Sequence, residues 1–177
     1  MENSRGFTLL ELIIVVALIG IMVAVAIPSI NTWMPNYRLK GAARDLYSAM
    51  MKAKSEAIKR NVNCAITFNQ SVGGVTQAYV VYVDGNQNCE FDAGEEIVAQ
   101  VTTFPNGVYF DTAKPGNGVD ISVNDVDNPT IVFRPNGIPR YNNPAIVDDG
   151  DVYLINSKSR TRRVHVNLAG NVWIREN

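Results

Sequence analysis

The stretch RGFTLLELIIVVALIGIMVAVAIP, from Arg5 to Pro28, constrains this chain more than any other. Between Phe7 and Pro28 the only polar side chains are Thr8 and Glu11, and from Leu12 to Pro28 there is none. A helix of about 20 apolar residues crosses a hydrocarbon core of roughly 30 Å, so the length predicts a membrane span. A lone carboxylate at the mouth of such a run costs roughly 2.5 to 3.5 kcal/mol on insertion scales, less near the interface. Glu11 therefore needs a partner.

Three readings compete. The AVA at Ala24 to Ala26 fits the small-x-small pattern of a cleaved secretory signal, but the apolar run is long for one and MENSR has no net positive charge. A plain membrane anchor accounts for the length and leaves Glu11 unexplained. The third reading cuts the chain between Gly6 and Phe7. The freed α-amine of Phe7 is a cation four residues from Glu11. Within one chain or between neighbouring subunits it compensates the carboxylate. In a packed fibre that pairing also sets the axial stagger, because a buried unpaired charge is heavily penalised.

These residues resemble the class III (prepilin) signal of type IV pilins and pseudopilins along the whole stretch. The resemblance implies that a prepilin peptidase cuts after Gly6 and N-methylates Phe7, that Glu11 acts in assembly, and that Pro28 is the helix-kinking proline. It also implies a single-pass protein of the inner membrane with its C-terminal domain in the periplasm, later part of a pilus or pseudopilus. The flanking charges, Arg5 before the run and Arg38 and Lys40 after it, leave the positive-inside rule nearly silent. The implied partners are other pilins or pseudopilins, the prepilin peptidase, an inner-membrane assembly platform, and the lipid bilayer before assembly.

Past Pro28, Leu39, Ala43, Leu46, Met50, Ala53 and Ala57 recur at helical spacing as one apolar stripe. A helix from Phe7 to about Arg60 would be roughly 80 Å long, bent or locally opened at Pro28, where the N–H is missing. From Asn61 the period changes. NVNCAITF, QAYVVYV, EIVAQVTTF, GVYFD, VDISV, PTIVFRP, DVYLINS, RRVHVNL and NVWIRE read as short strands between turn-rich segments, with NQSVGGVT a turn region and NLAGNV a hairpin turn. The expected fold is α+β: a long N-terminal helix, transmembrane in its first half and amphipathic in its second, packed on an antiparallel domain of two sheets. The chain divides into a leader (1–6), a hydrophobic helix (7–30), its amphipathic continuation (31–60) and a β-rich domain (61–177).

The order of these segments, with YVVYVDGNQNCEFDAGEEIV, IVFRPNGIP and RRVHVNLAGNVWIRE, resembles the GspH/FimT-type branch of the family, H-type pseudopilins and minor pilins. That branch ends on a glycine followed by alternating arginines; after Gly170 this chain keeps only Arg175. The resemblance implies a minor pilin-like structural subunit of a pilus or of its tip or initiation complex. Its alternatives are a type II secretion pseudopilin supporting protein export and a DNA-binding minor pilin in DNA uptake.

The net charge of −1 leaves no global pull toward nucleic acid. Locally, Lys158, Arg160, Arg162 and Arg163 fall within six residues, and Arg175 lies on the neighbouring hairpin strand. They read either as a phosphate grip for DNA or as a solvated strand edge beside Asp148, Asp149 and Asp151. In DGNQNCEFDAGEE, Asp84, Asn86, Asn88, Glu90, Asp92 and Glu95 occupy positions 1, 3, 5, 7, 9 and 12 of an EF-hand-like series. The loop reads either as a calcium site or as a solvated acidic turn; against calcium, position 6 is Cys89 rather than glycine and no helices flank it. Two cysteines in an exported domain read either as a Cys64–Cys89 disulfide, closing about 24 residues and worth roughly 3 kcal/mol, or as two separate small core residues. No cofactor other than calcium is expected. No enzyme is expected either: His165 has no Asp or Ser at motif spacing and no glycine loop cradles phosphate.

Overall fold

The computed structural model describes residues 7–121, 128–140 and 149–176, with the side chains of 25–32 outside the description. Its spine is one helix, α1 (Leu9–Arg60), continuous through both Pro28 and Pro35. Neither proline ends it, although each lacks the N–H that would close a helical turn. Asn61 stops the helix in the left-handed conformation, its N–H donating to the Ala57 carbonyl. Among the described residues no helix is long and apolar enough to cross a membrane. The expected span includes residues 25–28, whose side chains are not among them.

Among the described residues twelve strands follow: β1 (Asn63–Phe68), β2 (Ser71–Val72), β3 (Val75–Thr76), β4 (Tyr79–Asp84), β5 (Ile97–Val101), β6 (Val108–Phe110), β7 (Val119–Asp120), β8 (Thr130–Phe133), β9 (Pro139–Arg140), β10 (Gly150–Asn156), β11 (Thr161–Val166) and β12 (Val172–Glu176). One sheet has the order β5-β4-β1-β8-β9, the other β12-β11-β10-β6 with β7 also on β10, and β2 and β3 form a separate hairpin. All the pairings are antiparallel. The two-sheet expectation holds, and each strand read from the sequence has its counterpart.

The stripe on the second half of α1 is the centre of the core. Leu39, Ala43, Leu46, Met50, Ala53 and Ala57 are each 2% exposed or less. They pack with Ile66 and Phe68 of β1, Ile131 and Phe133 of β8, Val152 and Leu154 of β10, and Val164 and Val166 of β11. The helix thus fills the inner faces of both sheets, and its alanines keep the backbones close. β1 and β4 are buried on their other face too. Ala65, Val80, Tyr82 and Val132 form a second cluster there, covered by Val72 of the β2–β3 hairpin and by Cys89 and Phe91 of the loop after β4.

The β11–β12 turn is seated on the helix. Lys54 Nζ donates to the Gly170 carbonyl at 2.7 Å. Gly170 has φ +75°, and a Cβ there would lie 2.2 Å from the Gly137 carbonyl oxygen. Only glycine fits both the conformation and the approach.

Candidate functional site

The N-terminus of α1 answers part of the Glu11 question. Thr8 is the N-cap, its Oγ1 accepting from Glu11 N at 3.2 Å, and Thr8 N donates to Glu11 Oε2 at 2.9 Å. This reciprocal capping box satisfies two backbone donors that a helix start otherwise leaves unpaired. The signal, Thr-x-x-Glu before an apolar run, was present in the sequence and was missed. The cleavage bond ties Gly6, outside the described residues, to Phe7, which is 90% exposed.

From Phe7 to Val23 every large apolar side chain is about half exposed or more, on all sides of the helix. Covering them fully would contribute on the order of 10 kcal/mol or more at about 25 cal/mol per Å². Among the described residues no element covers them. The rod meets the head at an aromatic and basic collar. Trp33 and Tyr37, both 59% exposed, stack with ring centroids 5.0 Å apart. Below them lies a cleft of about 380 Å³ bordered by Lys40, Arg160, Arg162 and Glu176. Arg38 donates to the Asn106 carbonyl and Asn156 Nδ2 to Asn36 Oδ1, fastening the collar to the head.

The basic cluster is divided by strand alternation. Arg162 points toward the helix edge, pairs with Glu176 across β12, and lies close enough to Arg44 to feel its charge; burial and that neighbour lower its pKa. Arg163 lies on the opposite face, where it pairs with Asp151 at 3.2 Å. Arg175 sits over the Trp173 ring, 5.4 Å from its centroid. Lys158 and Arg160 belong to the exposed turn between β10 and β11. The residues expected to grip phosphate together therefore face three ways, and Arg162 and Arg163 already hold carboxylates. The structure also brings His165 to two acids that sequence spacing did not reveal: its Nδ1 lies 2.7 Å from Asp151 Oδ1 and its Nε2 3.3 Å from Asp149 Oδ2, with the ring against Trp173. Register on β10 and β11 makes this contact, pairing Asp151 with His165.

The expected disulfide is not formed. Cys64 and Cys89 are separate buried thiols. Cys64 faces the helix and Cys89 the second cluster, on opposite sides of the first sheet. A bond between them would have to pass through that sheet. Burial pushes the Cys64 thiol up to about 12 and raises that of Cys89.

The acidic loop folds on itself. Asp84 is 1% exposed, and burial raises its pKa against the opposing N–H groups of Cys89, Gln87 and Asn88. Asn86 and Asn88 each donate an amide N–H to Asp92 Oδ2, at 2.7 and 2.8 Å. Glu95 accepts from Gly85 N and Asp92 N. Burial raises its pKa as well. Among the described residues no group of three or more His, Cys, Asp or Glu is placed to hold a metal ion.

Comparison with known proteins matches residues 42–170 to the family of type II transport protein GspH, and residues 1–27 to the prokaryotic N-terminal methylation motif. The chain is 32% identical over 174 residues to pilin-like protein PilA1 of Thermus thermophilus, covering 95% of this chain and 96% of that one. It is 41% identical over 58 residues to a fimbrial protein of Pseudomonas aeruginosa, 33% of this chain and 37% of that one. A crystal structure of the type IV minor pilin FimU of Pseudomonas aeruginosa matches with a TM-score of 0.47 at 14% identity, over 79% of this chain and 90% of that one.

Proposed function

The chain belongs to the GspH family of pilin-like proteins, and from that premise we propose that it is a minor structural subunit which enters a type IV pilus-like fibre through its N-terminal helix. The observation that carries the reading is the rod from Phe7 to Val23, apolar and exposed on every side. Such a surface is stable in lipid before assembly and against sister helices afterwards. From Phe7 to Trp33 a helix rises about 39 Å, close to the roughly 40 to 45 Å between the two headgroup regions. The Trp33–Tyr37 pair then lies at the outer interface, where aromatic rings with a polar edge are favoured. The head, beginning near Leu39, lies beyond the membrane in the periplasm.

Removal of residues 1–6 by a prepilin peptidase and N-methylation of Phe7 fit the N-terminal methylation motif. After cleavage the amine of Phe7 and the N–H of Thr8 both lie near the Glu11 carboxylate. Capping and charge compensation are then successive uses of one side chain. Pilin-like PilA1 matches across nearly the whole chain and supports the pilus reading. The family description supports the second, a pseudopilin of type II transport.

The experiment is incorporation. Tagged wild-type chain and Glu11→Leu are expressed beside the other subunits, and sheared fibres are probed for the tag. Wild type is expected in the fibres, lacking residues 1–6 and carrying one added methyl group, and Glu11→Leu is expected to fall at least tenfold in them. Equal incorporation of Glu11→Leu, or retention of residues 1–6 in fibres, overturns the proposal. Deleting the gene then separates the machines, since loss of surface fibres points to the pilus and loss of exported protein to type II transport.

A further inference from the structure

We propose that residues 84–95 bind one calcium ion, through the carboxylates of Asp84, Asp92 and Glu95, the side-chain oxygens of Asn86 and Asn88, and the main-chain carbonyl of Glu90. The proposal stands on this loop alone and is independent of which fibre the subunit joins.

The first observation is Asp84. The residue is 1% exposed, and its Oδ1 is buried without a hydrogen-bond partner. Its other oxygen, Oδ2, accepts from Cys89 N at 3.3 Å, and the N–H groups of Gln87 and Asn88 also meet the carboxylate, so it is turned to the backbone of this loop. A desolvated carboxylate oxygen lacking a donor is unfavourable. A cation held by the loop supplies what that oxygen lacks.

The second is the path of the backbone. Gln87 and Cys89, at positions 4 and 6 of the series, have φ of +62° and +67°. An EF-hand loop places its glycine at position 6 for the sharp turn there. Cys89 makes that turn without being glycine, which removes the main objection raised by the sequence. Its side chain packs in the cluster with Tyr82 and Val132, so the thiol is part of the support under the loop. Flanking helices are not required either, because β4 delivers Asp84 at its last position and β5 begins at Ile97, two residues past Glu95.

The third is the set of oxygens. Asn86 Oδ1 accepts from Asn88 N and Asn88 Oδ1 from Glu90 N. An amide oxygen has a second lone pair, so each can hold its N–H and still ligate. The three carboxylates do not form a metal cluster by themselves, and the amide groups of the two asparagines stand between them on Asp92. Binding therefore draws Asp92 Oδ2 off those N–H groups and onto the ion. Oxygen donors alone, three of them anionic, match a hard divalent cation. A wrapped loop of six irregularly placed donors matches calcium better than magnesium, which demands a near-octahedral shell. Calcium sites of extracellular modules bind at roughly 10⁻⁴ to 10⁻³ M, which sets the expected range.

The test uses the full chain in detergent micelles, stripped with a chelator and titrated with calcium chloride or magnesium chloride by calorimetry and thermal melting. With 10 mM calcium the melting temperature is expected to rise by about 5 °C, and magnesium is expected to give less than half of that. Asp92→Asn combined with Asn86→Ala is expected to abolish the calcium shift, read against that variant's own calcium-free melt, which should fall through the loss of the loop's hydrogen bonds while the protein stays folded. Asp84→Asn is expected to abolish the shift as well, whatever its own effect on the baseline. No heat and no shift in the folded wild type overturns the proposal. So does a calcium shift that survives the double variant, or one that magnesium matches.

Discussion

Between Leu9 and Val23, α1 exposes its apolar side chains all round, whereas between Leu39 and Ala57 the same helix buries a single stripe against both sheets. The first segment is apolar apart from Glu11 and the second is amphipathic, with Lys40, Arg44, Lys52 and Lys59 on its wet side. The helical backbone is common to both; what differs is where the partner lies. The stripe has its partner within the chain and stabilises the head on folding. The rod has none among the described residues, and the proposed function gives it one in a bilayer or in other chains. One helix thus divides folding from assembly along its length.

The largest effect that can break this comparison comes from paired truncations. Leu46→Ala, at a position with no exposure, is expected to destabilise the head by about 2 to 5 kcal/mol through lost burial and an unfilled cavity. Leu18→Ala in the rod is expected to change the head's unfolding by less than about 0.5 kcal/mol while reducing incorporation into fibres. Thermal melting in micelles checks the first and the amount of subunit in sheared fibres the second. If both variants melt alike, the two halves of α1 are one cooperative unit and the division fails.

A second, smaller effect tests how the head holds the helix. Gly170→Ala places a Cβ against the Gly137 carbonyl and strains a left-handed position, at about 1 to 3 kcal/mol. Because Lys54 donates to the Gly170 carbonyl, the strain should reach α1 as faster amide exchange near Lys54 and leave the rod unchanged. Hydrogen exchange read by mass spectrometry resolves the two regions.

What the sequence made legible follows the same division. The stripe from Leu39 to Ala57 and the strand runs were readable because burial imposes a period. The β2–β3 hairpin and β9, at two residues each, are too short to show one. Neither a count of cysteines nor the proximity of Arg162 and Arg163 along the chain tells which face a side chain takes. In a strand, neighbours point to opposite faces. Cys64 takes the helix-facing parity of β1 with Ile66 and Phe68, while Ala65 takes the other. Contacts such as His165 with Asp149 and Asp151 depend on register between strands, which composition does not carry. The Thr8–Glu11 capping box is the opposite case, a local signal hidden behind the larger question of charge.

That local signal gives the third test. Thr8→Ala removes the side-chain cap and is expected to lower the stability of the first helical turns by about 1 kcal/mol. Amide exchange from Leu9 to Ile13 should quicken, with the melt of the head unmoved. If exchange there is unaltered, Glu11 is held by something other than the cap.

The smallest effect concerns the dry interior against which the rod's exposed surface is contrasted. Burial, with Glu56 adding to it, pushes the Cys64 thiol up to about 12, while an unfolded cysteine titrates near 8.5. The folded chain holds this proton more tightly, so the stabilisation is complete below the unfolded value and is lost as pH rises from about 8.5 toward 12. Tyr79, pushed up to about 12 by burial with Asp45 adding to it, acts in the same direction from about 10 upward. Between pH 8.5 and 10 the loss therefore belongs chiefly to the thiols. Urea midpoints for Cys64→Ala should fall less steeply across that window than those of wild type. Native protein should resist alkylation at pH 8, and both cysteines should be alkylated once it is unfolded without reductant. Thiols that stay unmodified after unfolding would mean that a disulfide crosses where the structure puts a sheet.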